Sequence, residues 1–284
     1  LPKPGWPQSL QTLLSQMWHG DAAQRPNLSD ILSHDFEIIK HDLEQKMFEE
    51  MMSDEGGQRF WRMGFGENSD IEQNISWSVF KHKFYEYLKL KVPEDEDNIE
   101  DGDVQHLLFL KVALGADISE RVTLKNFANV ADAFGPVDES RGREMLEHIQ
   151  QILSNAWFRP DLSQEETQSF LRGQEDGTFV VRFSSQAGVP FTITLVKEGK
   201  VYHIRIFKVG TMNMLRLGDD AWKDVLYSSL LEIISDVQVR KAFHLQFYPQ
   251  PRKSCPSPGE LLVLQPLEDT DYKPQPISFA FSQA

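Results

Sequence analysis

The segment GTFVVRFSS, residues 177–185, places a single arginine, Arg182, within an otherwise apolar run. An ionised guanidinium is expensive to bury without an anion, and arginine does not lose its proton in proteins. Alternation along a strand puts Val180, Arg182 and Ser184 on one face, at the mouth of the loop SSQAG. Two explanations are open from these residues: Arg182 pairs with a buried Asp or Glu, or it binds an anionic ligand.

The residues around this arginine favour phosphate as the ligand. Ser184 and Ser185 offer two hydroxyls, and the backbone N–H groups of their loop could form an anion-binding nest. Thr192 lies on the next predicted strand, while His203 and Arg205 share one face of the strand after it. A forked guanidinium, hydroxyls, a histidine and a second arginine suit a doubly charged phosphate better than a carboxylate.

The elements that must position these residues form a helix, an antiparallel sheet and a second helix. Residues 163–171 have helical spacing, and residues 177–209 contain three strand-like runs, TFVVRF, FTITLV and VYHIRIF, separated by the turns SSQAG and KEGK. Residues 224–236 return to helical spacing, and residues 243–248 (FHLQFY) are predicted to form a closing strand. This order predicts an α+β domain with helices flanking the sheet.

Residues 157–249 resemble a Src-homology-2 domain. The matching positions are Trp157, Phe158, Gly177, Phe179, Val181, Arg182, Ser184 and His203. The resemblance implies that Arg182 binds the phosphate of a phosphotyrosine bidentately. It also assigns hydroxyl contacts to Ser184, Ser185 and Thr192, the lining of the ring to His203 and Arg205, and recognition of hydrophobic residues after the phosphotyrosine to Ile204.

One position departs from that family. The family usually carries a second basic residue two positions into the first helix, where this chain has Gln164. The missing positive charge is expected to lower the affinity for phosphotyrosine. Arg159 and Arg205 are the candidates to replace it in part.

Residues 41–150 are predicted to be mainly helical, and two stretches within them resemble the EF-hand-like domain that precedes the divergent Src-homology-2 domain of Cbl-type adaptors. The matching positions are Trp61, Phe65, Gly66, Trp77 and Phe80 in the first stretch and Val122, Phe127 and Phe134 in the second. The chain is not a Cbl-type ubiquitin ligase, because the RING domain of that family needs several Cys and His ligands and Cys255 is the only cysteine.

Both candidate calcium loops of this region lack ligands. An EF-hand loop places oxygen ligands at positions 1, 3, 5 and 12 and glycine at position 6. In the first loop these positions hold Asn68, Asp70, Glu72, Val79 and Gln73 respectively. In the second loop, positions 1, 3, 5 and 12 hold Gly115, Asp117, Ser119 and Asn126. We therefore expect a scaffold without bound metal, and no cofactor elsewhere in the chain.

The first 40 residues resemble the last helices of a protein-kinase domain. Trp18, Asp21, Arg25 and Pro26 have the spacing of a pattern typical of that region. The catalytic parts of such a domain lie upstream, and this sequence has no Gly-rich phosphate loop, catalytic Asp loop or Asp-Phe-Gly motif. Together with the start at Leu1, this predicts a non-catalytic piece of a longer protein whose kinase domain precedes it.

The charge and the amino-acid composition of the chain limit the kinds of partner that it is expected to bind. The net charge of −14 argues against non-specific binding to nucleic acid or to an anionic membrane, and no apolar run has transmembrane length. A single cysteine fits a reducing, cytoplasmic location. From residue 251 a flexible Pro- and Ser-rich tail is predicted, in which a phosphorylated Tyr272 could bind the domain in cis or in trans, although an isolated tail tyrosine usually has no such role.

The sequence thus predicts four regions: a kinase remnant (1–40), an EF-hand-like helical domain (41–150), a Src-homology-2 domain (151–250) and a tail (251–284). Because ILSNAWF leaves almost no linker, we expect the second and third regions to pack together. The predicted function is a module that binds phosphotyrosine-containing proteins and targets or regulates an attached kinase. Two alternatives stay open: part of an enzyme whose main function is ATP-dependent phosphorylation, and a STAT-like signalling factor. ATP binding to this chain would favour the first alternative, and we expect none.

Overall fold

The computed structural model describes residues 6–66, 74–94, 97–98, 101–186, 188–210, 214–243 and 245, without the side chains of residues 30, 33 and 34. Within these ranges the first half is helical and the second half holds a four-stranded antiparallel sheet with flanking helices. The predicted α+β fold is therefore confirmed. The first candidate calcium loop up to Gln73, the tail with Cys255 and Tyr272, and most of the predicted closing strand lie outside the described residues.

The helical half begins with three helical segments that precede the candidate EF-hand region. These are α1 (Gln8–Met17), α2 (Leu28–Asp30) and α3 (Phe36–Met51), with a π-helical turn, Ile31–Asp35, joining the last two. The helical path from α2 to α3 continues across residue 40, where the sequence suggested a domain boundary. In this part of the chain Trp18, Leu28 and Leu32 are 64%, 70% and 60% exposed.

The centre of the helical half is built from two helix–strand–helix units. The elements are α4 (Glu55–Phe65), β1 (Asn74–Ser76), α5 (Trp77–Tyr87), α6 (Gly102–Ala113), α7 (Ala116–Ser119), β2 (Arg121–Thr123), α8 (Leu124–Phe134) and α9 (Gly142–Leu153). β1 and β2 pair antiparallel, with Ile75 opposite Val122, so the same position of the two candidate calcium loops meets across the pair. Phe60 packs against the rings of Phe65, Phe80, Phe84, Tyr87 and Phe127.

The sheet has the order β3 (Phe179–Phe183), β4 (Phe191–Lys197), β5 (Lys200–Val209) and β6 (Met214–Leu217). The hairpin between β4 and β5 turns through Glu198 and Gly199, whose φ angles of 53° and 68° fit a type I′ turn. The carboxylate of Asp176 accepts both of their N–H groups, at 2.7 and 2.9 Å, which fixes the turn and the register beyond it.

Two sequence predictions for the chain after β6 need correction. The helix expected over residues 224–236 begins only at Leu230, as α11 (Leu230–Ser235), because the backbone of Tyr227 pairs with Leu215 of β6 through two 2.8 Å hydrogen bonds. Phe243, expected to start a strand, is instead the last residue of α12 (Val237–Phe243). Tyr227, which helical spacing had assigned to a helix, thus pairs with the edge strand of the sheet instead.

The sheet separates two packing layers. On one face α10 (Gln164–Leu171) covers a small cluster made by Leu171, Val180 and Val196. The other face belongs to a large core that also contains α11 and the helical half. Lys208 of β5 strengthens this junction, since its ammonium donates a 3.0 Å hydrogen bond to the carbonyl of Asp132 in α8. Among the described residues, no helix has the length and apolar character needed to cross a bilayer.

Candidate anion-binding site

Five of the residues singled out above come together on one face of the sheet or at its end. Arg182 of β3 lies opposite Thr192 of β4, which in turn lies opposite Arg205 of β5. One step along, Thr194 lies opposite His203. Directly opposed residues of antiparallel strands point to the same face, so Arg182, Thr192, His203 and Arg205 share the face that α10 covers, with Ser184 following on the same alternation.

Arg182 is buried without an acidic partner. Its side chain is 3% exposed, and one guanidinium nitrogen donates to the carbonyl of Phe183 at 2.8 Å. Its Nε has no hydrogen-bond partner, and the described carboxylates include none at ion-pairing distance from it. Burial lowers the pKa of Arg182, while the more distant charge of Glu165 raises it. The buried Asp or Glu of the first explanation is therefore absent from the described residues.

His203 is held between the sheet and α10. Its Nε2 lies 2.8 Å from the amide nitrogen of Gln168, and its Nδ1 lies 3.0 Å from the hydroxyl of Thr194. An amide NH₂ can only donate, so this arrangement leaves the imidazole proton on Nδ1, directed at the threonine oxygen. Burial, then the charges of Arg182 and Arg205, lower the pKa of His203. The geometry and the charge environment both favour a neutral ring.

Gln168 and Thr194, which fix the orientation of His203, are not among the site residues predicted from the sequence. Thr194 could have been inferred, because it alternates with Thr192 along a strand that was correctly predicted. Gln168 could not, since its contact with His203 depends on how α10 packs on the sheet.

The loop after β3 is tied to itself at both ends. The N–H of Ser184 donates to the carbonyl of Pro190 at 3.2 Å, and the hydroxyl of Ser184 accepts the N–H of Gln186 at 3.1 Å. Ser184 is buried, whereas Ser185 is exposed. Both serines also line a cleft of about 330 Å³ between this loop and helices α3 and α8, which Arg182 does not line. Both serines thus border a cleft shared with the helical half, and the described hydrogen bonds include none between either hydroxyl and Arg182.

The two arginines proposed to replace the missing charge at Gln164 are placed differently. Arg159 is engaged by Asp161 through two hydrogen bonds of 2.9 and 2.7 Å, so its charge is already neutralised. Arg205 is exposed and has no ion pair with any described residue. Only Arg205 is therefore available to an anion at this site.

Ile204 points to the opposite face of the sheet. It lies opposite Ile193 of β4 and packs, partly buried, against the large core. Along β5, the pairing with β6 covers Ile206 to Val209. In the described part of the chain, the outer edge of β5 before Arg205 therefore has no neighbouring strand, and this open edge lies between His203 on one face and Ile204 on the other.

The second candidate calcium loop uses its polar groups internally. The amide of Asn126 donates to the carbonyl of Leu114 at 2.9 Å, and the hydroxyl of Ser119 donates to the carbonyls of Gly115 and Arg121. Burial raises the pKa of Asp117. The described residues contain no group of three or more His, Cys, Asp or Glu side chains suited to a metal ion.

The kinase-like pattern near the amino terminus forms a compact turn. The carboxylate of Asp21 accepts the N–H of Ala23 at 2.9 Å, and Nε of Arg25 donates to the carbonyl of His19 at 2.9 Å. Both side chains thus stabilise local backbone.

Comparison with known proteins identifies one family match and several relatives. Residues 157–235 match the family model of the SH2 domain. The chain is 28% identical over 236 residues to dual specificity protein kinase shkC of Dictyostelium discoideum, covering 80% of this chain and 43% of that protein. It is 29% identical over 218 residues to shkA of the same organism, covering 71% and 39%. A 50-residue stretch, 18% of this chain, is 46% identical to 9% of tyrosine-protein kinase csk-1 of Caenorhabditis elegans. The chain thus spans less than half the length of these relatives.

Proposed function

We propose that residues 157–235 bind phosphotyrosine in proteins or peptides and that this binding targets or regulates an attached protein kinase. The observation that carries the proposal is Arg182, which is buried on the α10 face of the sheet with an unpartnered Nε and no described carboxylate beside it. The match of the surrounding residues to the SH2 family supports phosphotyrosine as the source of the phosphate.

In this proposal the phosphate enters between β3 and the loop that begins at Ser184. The guanidinium of Arg182 takes two phosphate oxygens, because its planar fork matches two acceptors in parallel. Ser184, Ser185 and Thr192 supply hydroxyl contacts, while His203 and Arg205 line the aromatic ring.

The rest of the peptide crosses the open edge of β5. That edge leads from the His203 face to the opposite face, where Ile204, Trp222 and Leu231 are partly buried against the core. A peptide residue after the phosphotyrosine would contact these apolar side chains, which favours a hydrophobic preference at that position. The extended backbone of the peptide would meet the unpaired backbone groups of β5.

The attached enzyme is the second part of the proposal. The relatives that the chain matches are named as protein kinases and are more than twice as long as the matched region. In this chain the amino-terminal helices expose Trp18, Leu28, Leu32 and Phe36, as expected if further protein packs on them. We place the helical region between a kinase domain and the phosphotyrosine module as an EF-hand-like scaffold, in the cytoplasm, with residues 251–284 as a tail in which phosphorylated Tyr272 is a candidate ligand.

Binding of phosphotyrosine peptides, each compared with its unphosphorylated twin, tests the module. We expect phosphate-dependent binding by the wild type and at least about a 100-fold loss in Arg182→Ala, because two charge-assisted hydrogen bonds of about 1.5–3 kcal/mol each are removed. Arg182→Lys keeps the charge without the fork and is expected to recover only part of the affinity. Arg172→Ala, which removes an exposed arginine at the end of α10, is the charge-matched control.

The outcomes separate the proposal from its competitors. If folded wild type binds phosphorylated and unphosphorylated peptides equally, the phosphotyrosine module is wrong. If this chain binds ATP, the alternative of an enzymatic role for it gains support, and we expect no such binding. Titration with a phosphorylated and an unphosphorylated peptide spanning Tyr272 tests the self-binding part separately.

A further inference from the structure

A third arginine lies on the same face of the sheet, away from the candidate phosphate site. Arg216 of β6 is directly opposite Phe207 of β5, and Phe207 follows Arg205 on the strand alternation. Its guanidinium carbon lies 5.7 Å from the centre of the Phe207 ring, which independently places both side chains on one face. Arg182, Arg205 and Arg216 thus succeed one another from β3 to β6.

Arg216 and Arg205 are not neutralised by the described residues. Nε of Arg216 is buried without a hydrogen-bond partner, and neither arginine is ion-paired to a described carboxylate. Asp219, the nearest acidic residue after β6 in the chain, instead accepts the N–H of Ala221 at 2.9 Å. Although the protein has 43 acidic and 29 Lys or Arg residues, three arginines of one sheet face have no ion pair with a described carboxylate. Their mutual repulsion would be relieved by more than one bound anion.

The backbones of Arg182 and Arg216 are separated by three strand spacings. Three strand spacings of about 4.8 Å put the backbones of Arg182 and Arg216 about 15 Å apart, before the stagger along the strands is added. Arg205 lies between them, on β5, which is the strand paired with β6. An anion bound at Arg216 would therefore be a second group, distinct from the phosphate at Arg182 but within reach of the same ligand.

We propose that Arg205, Phe207 and Arg216 form a second anion subsite, which selects phosphotyrosine peptides that carry another anionic group. An extended peptide advances about 3.3 Å per residue, so that group would stand roughly two to four residues from the phosphotyrosine. This second anionic group would be the carboxylate of an Asp or Glu residue or a second phosphate. Phe207 holds the guanidinium of Arg216 against the sheet, which reduces the freedom lost on binding. This inference rests on the function proposed above.

Three matched phosphotyrosine peptides test the subsite with the full chain. The first has neutral flanks, the second has Glu placed two to four residues from the phosphotyrosine on either side, and the third has a phosphoserine at the position that Glu favours most. We expect the wild type to prefer the second and third by about three- to tenfold over the first at low salt. The preference should shrink as ionic strength rises.

Arg216→Gln should remove the preference while leaving affinity for the neutral peptide unchanged, and Arg216→Lys should keep part of it. Binding of the neutral peptide by the same sample shows that the variant is folded. Equal loss for all three peptides would assign Arg216 a structural role and overturn the subsite, as would a wild type without preference.

Failure of the subsite and failure of the proposed function give different results. A wild type that binds the neutral phosphopeptide without preferring acidic flanks contradicts the subsite alone, whereas a wild type that binds none of the three contradicts both. A last experiment measures binding of the chain to vesicles of neutral phosphatidylcholine, with and without phosphatidylinositol phosphates. Arg216-dependent binding to the phosphorylated lipid without any peptide preference would assign the surface to membrane and overturn the proposal.

Discussion

The ring of Phe134, at the end of α8, meets the ring of Phe191 in β4 edge-on, with centroids 5.7 Å apart and planes at 72°. The same ring lies 6.1 Å from Phe183 of β3. Phe134 therefore inserts an aromatic side chain of the helical half into the apolar face of the sheet, on the side away from Arg182. The expectation that the two regions pack together is met by this contact, and the two share one continuous core.

This contact predicts that the helical half and the sheet unfold together. Phe134→Ala should lower the free energy of unfolding by about 3–5 kcal/mol, as expected for a buried phenylalanine. Urea unfolding followed by far-UV circular dichroism and by tryptophan fluorescence should show coincident transitions in wild type and variant. Met63→Ala, at a side chain that is 78% exposed, should change the free energy by less than about 0.5 kcal/mol. Two separate wild-type transitions would contradict the shared core.

Replacing either of two glycines of α4 by alanine should change the stability of the protein, in opposite directions. A Cβ on Gly56 would clash with the carbonyl oxygen of Val137, whereas a Cβ on Gly64 would come no closer than 3.7 Å to its nearest neighbour, Lys83. Gly56→Ala should therefore destabilise the protein by about 1–3 kcal/mol or more through overpacking. Gly64→Ala should stabilise it by about 0.5–1 kcal/mol because alanine favours the helix. Thermal unfolding of the two variants checks both signs, and a Gly56→Ala protein as stable as wild type would show that the close approach is wrong.

The sequence predicted the central sheet because its signals are local. Strands β3 to β5 alternate with the right period, and the type I′ turn at Glu198 and Gly199 sets Lys197 opposite Lys200. That register alone determines that Arg205 faces Thr192, which is why the candidate site could be assembled on one face without a structure. The binding roles given to its residues remain predictions.

The parts that the sequence did not predict depend on contacts between elements. β6 is only four residues long, and its pairing with Tyr227 is a tertiary event that overrides helical spacing. Gln168 reaches His203 only after α10 has packed on the sheet. The pairing of Arg159 with Asp161, two residues away, was visible in principle, because an acidic residue so close in the chain competes with any ligand for the guanidinium.

Calcium should have no effect on this chain. Asn126, which stands where a bidentate carboxylate would be needed, donates its amide to Leu114, and Glu120 nearby is ion-paired to Lys111. We expect the melting temperature in millimolar calcium to equal that in EDTA within error, since a ligand that does not bind the native state cannot stabilise it. Magnesium at the same concentration controls for ionic strength. A rise in melting temperature with calcium alone would contradict the scaffold interpretation and would require ligands from the first loop.

Acid should destabilise the protein partly through His148 of α9. Its Nε2 is buried without a hydrogen-bond partner, and burial, followed by the charge of Lys208, lowers its pKa. The unfolded chain takes up the proton near pH 6.5 while the folded state resists it. The contribution to stability is therefore complete above about pH 6.5 and is lost as the pH falls toward the lowered pKa, by at most about 1.4 kcal/mol per pH unit.

The variant His148→Leu isolates this effect, because it removes the titrating group and keeps an apolar side chain beside Phe134. Urea unfolding at about pH 7.5 and about pH 5.5 should show a smaller loss of stability for the variant than for wild type. His203 also has a lowered pKa, whereas Asp117 and Asp132 have raised ones and respond with the opposite sign, so the difference between the two proteins is the informative quantity. Identical pH dependence in both would mean that His148 is protonated as readily in the folded chain as in the unfolded one.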